Sequence, residues 1–303
     1  MHDTPKTMIF GKNGFLGSYL SKCYQNNPDS YFCFRSTGNK LIIQSKTQPT
    51  REFPWSYTAL TKVIHELRPE VIINAIALAN AKQCEGSPLL AEQANSEIPA
   101  VLAIASSQVD ARIIQISTDA VFGQTGSHFK ETDEPHPKSI YGRTKLQGEK
   151  AIIKHAPEHL IIRTNFYGYH KTKPTLFNYF YQNLLQQRRV QGYRDVFFNP
   201  IYIKDLVLGI QSFITADSQG ILHFVGDEVL SKFDFANKIL LQMEGKGELL
   251  SSEMFGEIET ELYRKLDLTL SSGFRKNLYE CAFDVNSGIR DAILIAKEDE
   301  NEI

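Results

Sequence analysis

Short apolar runs alternate with helix-period segments through the first half of this chain, and that alternation constrains the fold more than any other feature. Thr7 to Phe10, Tyr31 to Phe34, Val71 to Ala75, Arg112 to Ile116 and Leu160 to Arg163 read as strands. Between them, Phe15 to Gln25, Tyr57 to Glu66, Pro88 to Ser107 and Ile140 to His155 read as helices. Strands joined through helices of this length run parallel, because each crossover returns the chain over a sheet face to start again in the same direction. The expected class is α/β, a Rossmann-type doubly wound parallel sheet. The run about Ile72 and Ile73 is apolar without alternation, as burial on both faces requires. After Thr164 the alternation gives way to an aromatic-rich helical stretch from Leu176 to Gln187, a short strand at Ile201 and a helix from Asp205.

Composition narrows the partners. The 303 residues carry 33 basic and 35 acidic side chains, a net charge of −2, which gives no electrostatic footprint for nucleic acid or an anionic membrane. Apolar runs such as Val71 to Leu78 fall far short of the roughly 20 residues that span a bilayer, and no signal-peptide pattern opens the chain, so a cytoplasmic location is expected. Cys23, Cys33, Cys84 and Cys281 lack C-x-x-C spacing and read as reduced thiols. Neither they nor the eight histidines form a metal signature; Mg²⁺ at a pyrophosphate is left open, with nothing in the sequence to indicate it. The charged tail from Lys297 to Glu302 is expected to fray.

The first strand runs straight into Gly11-Lys12-Asn13-Gly14-Phe15-Leu16-Gly17, a G-x-x-G-x-x-G turn that opens a helix. Glycines serve where a chain turns sharply, where backbone approaches a pyrophosphate and where helix packs on strand, and the helix N-terminus offers N–H groups to an anion. Gly11, Asn13, Gly14, Phe15, Leu16 and Gly17 are therefore candidate dinucleotide ligands. An NAD site would place a carboxylate about 20 residues on, yet no acidic residue occurs from Ser30 to Arg51. Arg35 and Ser36 follow the second strand instead, a pairing suited to the 2′-phosphate of NADPH.

The strand from Arg112 ends in Ser117-Thr118-Asp119, and Tyr141-Gly142-Arg143-Thr144-Lys145 opens the helix that follows. Tyr141 and Lys145 lie one helical turn apart, where a lysine charge is expected to lower the phenol pKa. Tyr141 could then give a proton to a carbonyl oxygen that Thr118 also binds, while Lys145 holds the nicotinamide ribose. Y-x-x-x-K spacing occurs three times, but Tyr167/Lys171 and Tyr169/Lys173 run into Pro174 in a loop.

GKNGFLG, Asn74-Ala75, QCEGSPLLAEQAN (residues 83–95), STDAVFG (117–123), YGRTKLQGE (141–149) and Arg163-Thr164 together resemble the extended short-chain dehydrogenases/reductases, most closely the dTDP-4-dehydrorhamnose reductase group. That resemblance implies Thr118, Tyr141 and Lys145 as catalytic residues, with Asn74 and Ala75 added to the dinucleotide site. It implies a nucleotide-sugar substrate in a smaller interleaved C-terminal region. On this reading residues 1–165 bind the dinucleotide, rejoined by about 195–220, and 166–194 with 221–303 bind the substrate. Asn165 and Arg194 are the substrate-side candidates, with Lys173 and Arg189 as alternatives to Arg194. Ala120 and Asn165-Phe166 depart from the aromatic and Ser/Thr-Trp of the group, which implies an altered sugar pocket. The implied activity is NADPH-dependent reduction of a 4-keto group on a nucleotide-linked deoxysugar. An epimerase, or a regulatory subunit like that of methionine adenosyltransferase, is the alternative. A homodimer is left open.

Overall fold

The computed structural model describes residues 5–123, 126–245, 247–255, 267–271 and 283–301. Cys281 lies outside them. Strand β1 (Thr7–Phe10) is buried along its length and leads through the glycine turn into helix α1 (Phe15–Tyr24). Strand β2 (Ser30–Arg35) lies parallel to β1, pairing Met8 with Tyr31 and Phe10 with Cys33. The next two strands, β3 (Lys40–Ser45) and β4 (Arg51–Pro54), were not expected from the sequence, and they run antiparallel. Only Ser36 to Asn39 join β2 to β3, too few residues for a crossover, so the chain must turn back on itself. Asn39 takes a left-handed φ of 56° to close that turn.

Helix α2 (Tyr57–Leu67) precedes β5 (Val71–Asn74), which returns to the other side of β1. The connection onward runs through α3 (Ala81–Gly86), α4 (Pro88–Glu92) and α5 (Ile98–Ser107), and then come β6 (Arg112–Thr118), α6 (Ile140–His155) and β7 (His159–Thr164). The single helix expected over Pro88 to Ser107 is interrupted by a π-helical turn at Gln93–Glu97, which carries the buried Asn95. The sheet has eight strands, in the order Gly220–His223, β7, β6, β5, β1, β2, β3, β4. Strand order reverses at β1, whose neighbours β2 and β5 leave in opposite directions, and in open α/β sheets the strands' carboxyl ends at such a reversal are where ligands bind. Met8, Phe10, Ile72, Ile113 and Ile161 of the sheet pack with Leu60, Val63 and Ile64 of α2 and Leu102 of α5 in one apolar core.

The chain forms two compact units, Met1–Val121 with Pro137–Arg163 and Gly209–Leu222, and Phe122–His136 with Thr164–Leu208 and His223–Ile303. The piece that rejoins the first unit is Gly209–Leu222 where about 195–220 is expected, and residues 122–136 fall in the second unit. Arg112 anchors the returning piece: its buried guanidinium donates to the carbonyls of Phe213, Ile214 and Ser218 and pairs with Asp217 at 3.2 Å. In the second unit, Tyr167, Phe180 and Phe198 gather around Phe235 with ring centroids 5.1–6.5 Å from it. Its last helix, Val285–Asn301, extends through Lys297, contrary to the expected fraying. The buried Ile289, Ala292, Ile293 and Ala296 face and the Lys171–Asp299 pair at 3.5 Å hold that helix in register. No helix among the described residues is long and apolar enough to cross a membrane.

Candidate active site

The glycine turn is built by close backbone approach. Gly11 sits at φ 93°, and a Cβ there would come within 2.9 Å of the Ala75 carbonyl carbon. Ala75 N–H donates to the Phe10 carbonyl at 3.0 Å, so the loop after β5 is pinned beside the turn. Gly14 caps α1 without any side-chain oxygen of its own, and its N–H donates to the Gly11 carbonyl at 2.8 Å. A helix start that no side chain caps, reached through a turn without side-chain bulk, suits a pyrophosphate. Asn13 is exposed and Phe15 half-buried, whereas Leu16 turns its side chain into the core and has only its backbone to offer. Asn74 is fully buried: its amide donates to Gln115 Oε1 at 2.7 Å and its oxygen accepts from Ile76 N–H at 3.1 Å. Its side chain thus shapes the loop, and Ala75 presents the backbone beside Gly11.

Arg35 and Ser36 stand at the β2–β3 turn. The exposed Arg35 donates from Nε to Asn39 Oδ1 at 2.8 Å, and its guanidinium lies 5.2 Å from the Trp55 ring centre. Trp55 was missed by sequence reasoning, because only the unexpected hairpin brings it beside Arg35. Ser36 Oγ accepts from Lys40 N–H at 3.2 Å. Lys40 itself pairs with Glu52 at 2.8 Å.

Helix α6 starts at a doubly capped end, where Ser139 Oγ accepts from Gly142 N–H at 3.0 Å and Glu85 Oε1 accepts from Ile140 N–H at 2.7 Å. Its packing surface is small: a Cβ on Gly142 would lie 2.2 Å from the Ala120 carbonyl, and one on Gly148 equally close to that of Asn95. Asn95 donates to Thr144 Oγ1 at 3.1 Å and accepts from Leu78 N–H at 2.8 Å, tying the helix to the loop after β5. Tyr141 is thereby held beside Thr118. Burial pushes its phenol well above the ordinary value, a hydrogen bond with Thr118 opposes that rise, and the nearby Asp119 and Cys84 add to it. Thr118 donates to Asp119 Oδ1 at 2.9 Å and accepts from Ala120 N–H at 3.2 Å.

The expected lowering of the phenol by Lys145 is corrected by this geometry. Lys145 is buried and donates from Nζ to the Ile116 carbonyl at 2.6 Å. Burial pulls its ammonium down to about 8, with Glu149 opposing. Desolvation governs both groups, and helical spacing alone does not reveal it. The other two Tyr/Lys pairs lie outside helices, and Tyr167 spends its hydroxyl on the Val285 carbonyl at 2.9 Å.

Asn165 and Arg194 both belong to the second unit. The Asn165 carbonyl accepts from Ile201 N–H at 2.9 Å. Arg194 N–H donates to the Glu253 carbonyl at 3.0 Å, and its guanidinium lies 4.2 Å from the Phe233 ring centre. Among the described residues no group of His, Cys, Asp and Glu could hold a metal ion.

An uncapped helix start at the switch point of a doubly wound sheet, together with a Tyr-x-x-x-Lys helix and a strand-end Ser-Thr, defines a Rossmann-type α/β class built to hold a dinucleotide. Residues 5–272 match the family described as the RmlD substrate binding domain. The chain belongs to that family. The dTDP-4-dehydrorhamnose reductase of Salmonella typhimurium is 32% identical over 163 residues, a match that spans about half of that protein (50%) and 52% of this chain. The dTDP-4-dehydrorhamnose reductase of Aggregatibacter actinomycetemcomitans is 28% identical over 273 residues, 86% of this chain and 87% of that one. Methionine adenosyltransferase 2 subunit beta of Pongo abelii is 26% identical over 243 residues, 76% of this chain and 70% of that one. Among solved structures, the dTDP-4-dehydrorhamnose reductase of Bacillus anthracis in complex with NADP superposes with a TM-score of 0.83 at 23% identity, covering 96% of this chain and 99% of that one. At that identity the likeness speaks for the fold.

Proposed function

We propose that the chain reduces the 4-keto group of a nucleotide-linked deoxysugar with NADPH. The observation that carries this reading is the arrangement of Thr118, Tyr141 and Lys145; a phenol is protonated at neutral pH, and burial raises that of Tyr141 further. A protonated phenol is the form that acts as general acid, which is the direction a reduction needs. Tyr141 gives its Oη proton to the substrate oxygen, and Thr118 turns its hydroxyl from Asp119 to the same oxygen. Lys145 presents a cation one turn away, and Gly11, Asn13, Gly14, Phe15, Gly17 and Ala75 hold the dinucleotide by backbone. NADPH, when bound, supplies the hydride. Incubating the pure protein with NADPH and a panel of nucleotide-linked 4-keto sugars, while following nicotinamide absorbance, tests reaction class and substrate together. Oxidation of NADPH by no member of the panel would overturn the reading.

The 2′-phosphate is assigned to Arg35 and Ser36. Arg35→Ala should cost NADPH about 1.5–3 kcal/mol of binding, roughly 10- to 150-fold, and leave NADH nearly unchanged. Equal losses for both dinucleotides in binding titrations would remove Arg35 from that role. On the substrate side, Arg194 is proposed for the sugar's pyrophosphate, since a guanidinium binds phosphate oxygens in a bidentate manner, and Asn165 for the sugar. Arg194→Ala should raise KM for the nucleotide sugar while the NADPH Kd stays put; an unchanged KM would exclude it.

A second reading draws on the likeness to methionine adenosyltransferase 2 subunit beta. A chain acting by binding would co-purify with a larger enzyme and turn over no sugar on the panel. The retained Thr118, Tyr141 and Lys145 favour the reductase.

A further inference from the structure

Beneath the Tyr141 and Lys145 face lies a charged cluster that the mechanism above does not use. Glu149, one turn beyond Lys145 on α6, is buried together with Arg163 of β7, with side chains only 1% and 3% exposed. Arg163 donates from Nε to both carboxylate oxygens, at 3.1 and 3.2 Å, and from Nη2 to Oε2 at 2.8 Å. The Ser117 hydroxyl donates to Oε1. The carboxylate therefore cannot swing away, and Lys145 lies one helical turn before it on α6. Burying one ion pair is costly, and burying a third charge beside it costs more unless that charge has a use for the anion. Ser117 also ties the cluster to β6, the strand whose Ile116 carbonyl receives the Lys145 ammonium and whose end carries Thr118.

We propose that Glu149 is a positioning residue for the reductase reaction, a fixed buried anion that keeps the Lys145 ammonium seated and charged beneath Tyr141. This rests on the reading of Lys145 given above. Arg163 locks the carboxylate's orientation, and Lys145, one helical turn before Glu149 on α6, draws on its field. The charged or titratable groups about this point are Tyr141, Lys145 and Glu149 of α6, Arg163 of β7, Asp119 after β6, and Cys84 of α3, which acts on the Tyr141 phenol. Of these, Glu149 is the group that opposes the loss of the Lys145 proton. A neutral Lys145 would give up the cation that the ribose and phenol face, so activity should fall as pH rises past the Lys145 midpoint.

The test reads Lys145 directly. Carbon-13 NMR titration of the free protein with labelled lysine, assigned with Lys145→Met, should give a midpoint near 8 in the native chain. Glu149→Gln, which keeps the shape and an acceptor oxygen but removes the charge, should move that midpoint down by about one unit, by the order of a buried charge partner. The alkaline limb of kcat/KM should move with it. An unmoved midpoint in a folded Glu149→Gln protein would overturn the proposal and leave Glu149 a structural ion-pair partner. Should Glu149→Gln not fold, pairing it with Arg163→Met removes the buried guanidinium left without its partner, and the same downward movement is required of the double variant. Absence of turnover on any sugar would count against the proposed function alone, since the NMR midpoint needs neither cofactor nor substrate.

Discussion

Tyr141→Phe is expected to lose about 10²–10⁴-fold in kcat, the usual worth of a general acid, while NADPH binds as before. The substitution removes only the phenol hydroxyl. The ring keeps its neighbours, and the caps on α6, where Ser139 Oγ and Glu85 Oε1 accept from backbone N–H groups, do not involve the Tyr141 side chain. Steady-state rates on the sugar that the native chain turns over, set beside a fluorescence titration of NADPH, separate the two effects. A near-native rate would overturn the proton-donor assignment. Two controls share the Tyr-x-x-x-Lys spacing. Tyr167→Phe removes a buried hydrogen bond to the Val285 carbonyl and should cost on the order of 1 kcal/mol in stability, with a mild effect on rate. Tyr169→Phe, whose phenol is engaged by Asp299, should likewise leave kcat close to native.

Much of the fold was legible because its signals are local. The period of each helix, the apolar strand at Ile72 and Ile73, and the glycine spacing directly after Phe10 are all read within a few residues. The start and end of α6 came out as Ile140 and His155 for the same reason. What stayed hidden depends on residues that meet only after folding. Leu41-Ile42-Ile43 is a local strand signal that was passed over, and its antiparallel pairing with β2 emerges only on folding, so the hairpin and the stacking of Trp55 on Arg35 went unseen. Glu149 on a helix reads as a solvated charge until Arg163 arrives from β7. The direction of the Tyr141 shift was missed because spacing reports the nearby lysine but not the loss of water around the phenol. Asn74 gave a similar lesson: its position at the end of β5 was plain, but its commitment to Gln115 was not.

Gly17→Ala should damage both stability and cofactor binding, because the methyl group has no room to enter. Its Cβ would stand 1.9 Å from the Gly11 carbonyl oxygen, 2.6 Å from that carbonyl carbon and 3.1 Å from Lys12 Cα. All three are backbone atoms, so no side-chain rotation relieves the overlap, and α1 must lift from the turn or the turn must open. Gly11 cannot yield easily, since its φ of 93° and the Ala75 backbone behind it fix that carbonyl. Overpacking of this kind costs about 1–3 kcal/mol, and an overlap confined to backbone belongs at the upper end. The same movement displaces the first-turn amides of α1 from the pyrophosphate position, so NADPH affinity should fall at least about tenfold, an expected loss near 1.4 kcal/mol. Gly86→Ala is the control, because a Cβ there meets nothing within 4 Å. Urea denaturation and NADPH titration of the two variants side by side give the answer. If Gly17→Ala matches Gly86→Ala in both, the close packing of α1 on the turn is not what holds the dinucleotide site in shape.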